Sequence, residues 1–129
     1  MVSDKRQVLG REGEAAARAY LERRGVRILA QNFRCAAGEI DLIGRTRDTV
    51  VFIEVKTRTS EAFGPPHLAV HLRKQRQIVR AAQWFLAEHD VPEVPCRFDV
   101  IAVTLSPDDG RPAVEWVQNA FPAEGEPVW

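Results

Sequence analysis

Two cysteines in 129 residues, Cys35 and Cys96, are too few and too far apart for a disulfide framework, and no C-x-x-C spacing marks a zinc site. Reduced thiols are the expectation. No apolar run approaches the roughly 18 residues that a membrane span needs, and no signal-like hydrophobic segment is present. A cytoplasmic protein with no membrane partner is expected. Internal repeats and low-complexity tracts are missing too, which excludes solenoids and arrays. An excess of one charge is also absent: 18 basic and 18 acidic residues cancel, for a pI of 6.8. That balance weighs against nucleic-acid binding, because phosphate neutralisation supplies most non-specific affinity.

What is present fits one compact domain, with 45% hydrophobic residues in a chain long enough to enclose its own core. The domain is expected over residues 1–121, and residues 122–129, with two prolines and a glycine, read as a loosely held tail. Helix formers from Lys5 to Arg24, capped by Ser3 or Asp4 and stopped by Gly25, predict a first helix. Strands are predicted near Val26 to Phe33, Gly38 to Gly44, Thr49 to Thr57, Arg97 to Leu105 and Ala113 to Val117, and a second helix from about Pro66 to His89. A hairpin meander followed by a helical crossover predicts an α/β fold in the order αβββαββ. Its mixed five-stranded sheet carries helices on both faces.

The chemistry concentrates on two neighbouring strands, GEIDLIG and TVVFIEVKT, joined by the polar turn Arg45, Thr46, Arg47, Asp48. A register in which paired residue numbers sum to 95 sets Ile43 opposite Phe52 and Asp41 opposite Glu54. Directly opposed β-carbons lie about 4.5 to 5.5 Å apart, so the two carboxylates could hold one divalent cation. Lys56, two residues beyond Glu54, points to the same face. Val50 to Val55 are apolar on both faces apart from Glu54, which predicts a central strand covered on both sides. Two buried carboxylates side by side make sense mainly when a cation neutralises them. Glu54 and Lys56 alone would describe an ordinary surface pair; Asp41 at matching register tips the reading towards a site.

A third acid comes from the first helix. Gly10, Glu14, Ala17 and Leu21 form one stripe beside Leu9, Gly13, Ala16 and Tyr20, so Glu14 sits at the edge of the core face while Glu12 faces solvent. Gly10 and Gly13 would allow a neighbour or a substrate backbone to come close. Basic residues gather as Arg73, Lys74, Arg76 and Arg80 on the second helix and as Lys56 and Arg58 at the strand end, which weakens the objection from net charge. Lys74 shares a stripe with Ile78, Ala81 and Phe85 and should lean over the core rim towards the site, whereas Arg76 and Arg80 can project into solvent. An ordinary basic surface explains these residues equally well. Other features carry less. His67 and His71, spaced i and i+4, lack a third ligand and read as helix surface. Trp84 and Trp116 read as core or interface residues, and the loop from Thr57 to Pro66 reads as a connector.

With Glu14, Asp41, Glu54 and Lys56 in place, the chain resembles the PD-(D/E)XK nuclease superfamily, especially its Holliday-junction-resolvase branch. Within it the likeness is to the YraN-type family of uncharacterised bacterial proteins. The resemblance rests on GREGEAAARAYLERRG, GEIDLIG, FIEVKTR, AVHLRKQRQIVRAAQWFL and RFDVIAV in that order. It departs from the superfamily's name at Ile40, where that name has Pro. The resemblance implies a restriction-endonuclease-like fold and a nuclease that hydrolyses phosphodiester bonds of DNA, including branched or junction DNA. It also implies Mg²⁺ or Mn²⁺ held by Asp41, Glu54 and the Val55 carbonyl with help from Glu14, and a homodimer as in resolvase-like relatives. Glu14, Asp41, Glu54 and Lys56 would be catalytic, with Arg58, Arg73, Lys74, Arg76 and Arg80 on nucleic acid. A module of the same fold that binds nucleic acid without cutting it is the alternative.

Overall fold

The computed structural model describes residues 5–59, 70–89, 93–105 and 111–123. Its elements run α1 (Lys5–Arg23), β1 (Arg27–Cys35), β2 (Gly38–Thr46), β3 (Thr49–Arg58), α2 (Leu72–Glu88), β4 (Cys96–Leu105) and β5 (Pro112–Val117). The expected order αβββαββ is the observed one. The five strands form one sheet in the order β1-β2-β3-β4-β5, antiparallel throughout except for the parallel pair β3 and β4. Only that pair needs a long crossover, and α2 lies within it.

β3 is the middle strand, buried on both faces, because a continuous apolar run cannot leave either side in water. On one face Ile43, Val50, Phe52, Phe98 and Val100 pack with Ile78, Ala81, Ala82 and Phe85 of α2. On the other, Leu42, Val51, Ile53, Ile101 and Val103 pack with Ala17 and Leu21 of α1. Each helix therefore covers one side of the same strand. At the end of α1, the Val26 N–H donates to the Leu21 carbonyl at 3.0 Å and the Gly25 N–H to that of Glu22 at 3.1 Å. This double closure requires a left-handed residue, which Gly25 supplies at φ 86°.

The second helix starts later than the sequence suggests. His71 is extended, with φ −70° and ψ 156°, and caps the helix from outside it. Val70 is buried ahead of it, and its carbonyl accepts a bond from Gln75 Nε2 at 2.9 Å, which fixes the chain before the first turn. His71 therefore does not stand on a helix four residues after His67, and Pro66 and His67 lie outside the described residues, as does most of the loop from Thr57 to Pro66. Ser3, Asp4 and the tail beyond Ala123 also lie outside them. Two side-chain expectations are corrected as well. Of the core and interface readings of Trp84, the core one is corrected: the residue is 50% exposed, because its helical position turns it away from the stripe that meets the sheet. Arg76 is half-buried with its Nε enclosed and without a hydrogen-bond partner among the described residues, rather than extended into solvent.

The packing of α1 depends on one glycine. A Cβ at Gly13 would overlap the Thr57 side chain of β3, whereas one at Gly10 would meet nothing within 4 Å. Gly13→Ala should therefore cost about 1 to 3 kcal/mol by overpacking, while Gly10→Ala should be neutral or stabilise by up to about 1 kcal/mol through helix propensity. Denaturant unfolding of the two variants checks this; equal stabilities would show that the close approach at Gly13 is relaxed at no cost.

Candidate active site

The β2–β3 hairpin follows the expected register. Residues pair from Thr46↔Thr49 through Ile43↔Phe52 to Leu42↔Ile53. Beyond that point the backbone ladder ends. Instead of lying as a paired residue opposite Glu54, Asp41 accepts a hydrogen bond on Oδ2 from the Val55 N–H at 2.8 Å. A side chain thus takes the place of a ladder carbonyl.

The cause is a break in strand alternation. Leu42 belongs to the α1 side and Ile43 to the α2 side, yet Ile40 packs on the α2 side, where strict alternation would exclude it. β1 shows the matching break, since Ala30 and Phe33, three residues apart, both pack on the α2 side. The flanking pairs Gln31↔Leu42 and Phe33↔Ile40 bracket Asn32 and Asp41, and Asn32 adopts a left-handed φ of 53°. Asparagine tolerates that conformation better than most side chains. The two strands therefore break alternation together, and the Asp41 side chain reaches the Val55 N–H of β3 and lines a cleft with Glu14 of α1.

Three acids meet at this kink. The carboxyls of Asp41 and Glu54, the latter 5% exposed, interact side by side, an arrangement that favours keeping one proton between them. Burial, the bond to Glu54 and the Glu54 charge push Asp41 up to about 8, only partly offset by the Val55 N–H. Glu14 stands on the α1 side, raised by its own burial and then by the charge of Asp41, while bonds from Asn32 and Gln31 oppose the rise. Gln31 also accepts a bond from Arg18 Nη1 at 3.0 Å, tying the residues around Glu14 to α1. Leu9, Gly10, Glu14, Asp41, Val55 and Thr57 line a cleft of about 280 Å³. The open space above Gly10 forms part of that cleft.

Two ammonium groups balance Glu54. Lys56 Nζ and Lys74 Nζ each lie 3.8 Å from Glu54 Oε2, one from β3 itself and one from α2. Lys74 thus leans over the rim as its helical stripe predicted. The other basic residues are more dispersed. Arg58 Nε donates to Thr104 Oγ1 of β4 at 3.3 Å, Arg73 and Arg80 are exposed on α2, and Arg76 is half-buried.

Three residues escaped sequence reasoning. Gln31 and Asn32, which bond Glu14, are two adjacent polar side chains in a predicted strand, and that interruption was the available signal. Asp99 is fully buried on β4, where it accepts bonds from Arg97 Nε and Nη2, Trp116 Nε1 and the Asn119 N–H at 2.8 to 3.2 Å. Its donors are complete, so it serves the β4–β5 edge structurally. A lone acid within RFDVIAV marked it.

Metal-ligating potential is limited to pairs. The described residues contain no group of three His, Cys, Asp or Glu side chains arranged to hold a metal ion. Asp41 and Glu54 provide two interacting carboxylates, and Glu14 feels the charge of Asp41 first and of Glu39 less.

The shared proton makes stability depend on pH. The Asp41 carboxyl titrates near 3.8 in the unfolded chain and near 8 when folded. The folded protein thus keeps a proton that the unfolded chain loses, and this contribution is full below pH 3.8 and fades as pH rises to 8. In EDTA, thermal stability should fall from pH 5 to pH 8 more steeply in wild type than in Asp41→Asn. Parallel pH profiles for the two proteins would show that no such proton is held.

Similarity to other proteins fits this geometry without explaining it. The model of the Uncharacterised protein family UPF0102 matches residues 13–103, a span from α1 to β4 that contains Glu14, Asp41, Glu54 and Lys56. A UPF0102 protein of Geobacter metallireducens is 50% identical over 113 residues, covering 88% of this chain and 91% of its own. One from Geobacter sulfurreducens is 49% identical over 120 residues, 92% of each chain. Another from Anaeromyxobacter dehalogenans is 48% identical over 124 residues, 96% of this chain and 91% of its own. Matches of this extent, running nearly end to end on both sides, place the chain in the UPF0102 family, the YraN-type family that its motifs resemble.

Proposed function

We propose that this protein is a Mg²⁺- or Mn²⁺-dependent nuclease that hydrolyses phosphodiester bonds of DNA, with branched or junction DNA as the leading substrate class. One observation carries the reading: half-buried Asp41 and buried Glu54 interact side by side, with Lys56 on Glu54, at a break in the strand pairing beside a cleft that Asp41 lines. Such a pair keeps a proton at neutral pH unless a cation replaces it. The motif set of the PD-(D/E)XK superfamily, which the chain resembles, names the same residues.

The donor set fits a divalent cation that keeps most of its waters. Mg²⁺ is commonly bound through one or two carboxylates, with water and substrate phosphate completing its shell. Asp41 and Glu54 would hold it, with the carbonyl of Val55, which follows Glu54 in sequence, and Glu14 would act through water. When bound, the ion supplies Lewis-acid polarisation of a phosphodiester and makes a nearby water easier to deprotonate.

The chain's own groups supply the rest. Lys56, held at 3.8 Å from Glu54, places a positive charge where a pentavalent phosphate gains negative charge, and that electrostatic role suits an ammonium among carboxylates better than a base's role. Glu14, with its carboxyl raised and its position set by Gln31 and Asn32, can accept a proton from an attacking water on the α1 side. Val55 fixes Asp41 through its N–H, so one carboxylate oxygen stays oriented. Among the described residues no helix is long and apolar enough to cross a membrane.

A nucleic-acid-binding module without hydrolysis remains a second reading, favoured by one observation. Lys56 and Lys74 already neutralise Glu54 without a metal. Cleavage of labelled branched, single-stranded and duplex DNA in Mg²⁺ or Mn²⁺ separates the two. Wild type should cut in a metal-dependent way, and Asp41→Ala and Lys56→Ala should each lower the rate by about a hundredfold or more. Tight binding with no cutting in any metal would establish the module instead.

A further inference from the structure

Two glycines of α1 have opposite surroundings, and only one of them is explained by the fold. At Gly13 a Cβ would overlap the Thr57 side chain of β3, so the packing of helix on sheet requires glycine there. At Gly10 a Cβ would meet nothing within 4 Å, and the backbone has no positive φ that would call for glycine. Glycine inside a helix is destabilising relative to alanine. Gly10 therefore lowers stability without serving the packing.

The cleft gives Gly10 a use. It lines that cleft together with Leu9, Glu14, Asp41, Val55 and Thr57, and it precedes Glu14 by four residues on the same stripe of α1. Side chains so spaced lie one above the other, so any residue larger than glycine would stand beside Glu14 in the open space. The lining also limits what can enter. Leu9 and the bare backbone of Gly10 are apolar, Thr57 carries a hydroxyl, and the described lining holds no basic side chain to attract a phosphate. Lys56 and Lys74 meet Glu54 instead, and Glu54 alternates with Val55 and so belongs to the α2 side of β3. At about 280 Å³ the cleft is smaller than the roughly 300 to 1,000 Å³ that encloses a drug-sized ligand, which suits a single ring better than a whole nucleotide. The uncharged ring of a nucleic-acid backbone is its sugar.

We propose that Gly10 is a substrate-positioning residue whose missing side chain lets the sugar next to the scissile phosphate lie against the α1 backbone. The inference rests on the proposed nuclease function and deepens it. Recognition at this point is of the sugar–phosphate chain, and no base is read there.

Gly10→Ala and Gly10→Leu test this in the full-length protein, with Ala15→Leu, at an exposed position of the same helix, as the control. Both Gly10 variants should unfold at the same or a higher denaturant concentration than wild type, because alanine and leucine favour helix and the added Cβ meets no neighbour. Affinity should move the other way. The Kd of labelled DNA, and KM wherever it is cut, should rise about five- to tenfold in Gly10→Ala and about a hundredfold in Gly10→Leu, with Ala15→Leu like wild type. Removing the base beside the mapped cleavage point while keeping its sugar should leave these losses unchanged. Relief on that abasic DNA would assign the space to a base and overturn the inference. Gly10 variants that bind and cut like wild type would also overturn it with the nuclease intact, as would losses accompanied by falling stability, which would make Gly10 a structural residue. A wild type that cuts no DNA overturns the nuclease reading, and this inference falls with it.

Discussion

Everything at the candidate site depends on the bond from the Val55 N–H to Asp41 Oδ2. It ends the ladder between β2 and β3 and satisfies a backbone donor that would otherwise be orphaned beside the core. It also anchors a carboxylate against another carboxylate. Remove it and β2 could continue as a regular strand, with Asp41 in register opposite Glu54 but with neither the cleft nor the approach of Glu14. The kink is shared by β1, where Asn32 takes a left-handed backbone and supplies a bond to Glu14, so three strands and a helix converge on one irregularity.

That convergence concentrates unfavourable electrostatics in a sheet that is otherwise apolar. Burial and mutual repulsion work against Asp41 and Glu54, and the protein meets them with a retained proton and two lysines from different elements. Asp99 offers a contrast within the same fold. It is more fully buried, and Arg97, Trp116 and Asn119 satisfy it. One acid is finished as structure; the other pair keeps its unfavourable charge beside a cleft.

Much of this could be read from residues in order. The apolar run from Val50 to Val55 predicted a central strand because only burial on both faces tolerates it, and the turn at Arg45 to Asp48 set the register that the hairpin adopts. The wheel of the first helix separated Glu14 from Glu12 correctly, since 3.6-residue periodicity alone decides which side meets a sheet. Lys74 was placed at the core rim by the same reasoning. Strand ends moved by one or two residues, and the second helix lost its first turn, because capping there depends on how Val70 is buried.

Sequence alone thus determined the element order, the sheet's middle strand and the residue types available for chemistry, because these follow from local periodicity and from the energetic cost of exposing apolar runs. Only tertiary structure decided how the acids meet. Regular alternation would have paired Asp41 with Glu54 through the backbone, whereas the kink at Asn32 and Asp41 joins them through side chains, with α1 brought close by Gly13. A break in alternation costs or gains energy through neighbours from distant parts of the chain, and no local pattern carries that information.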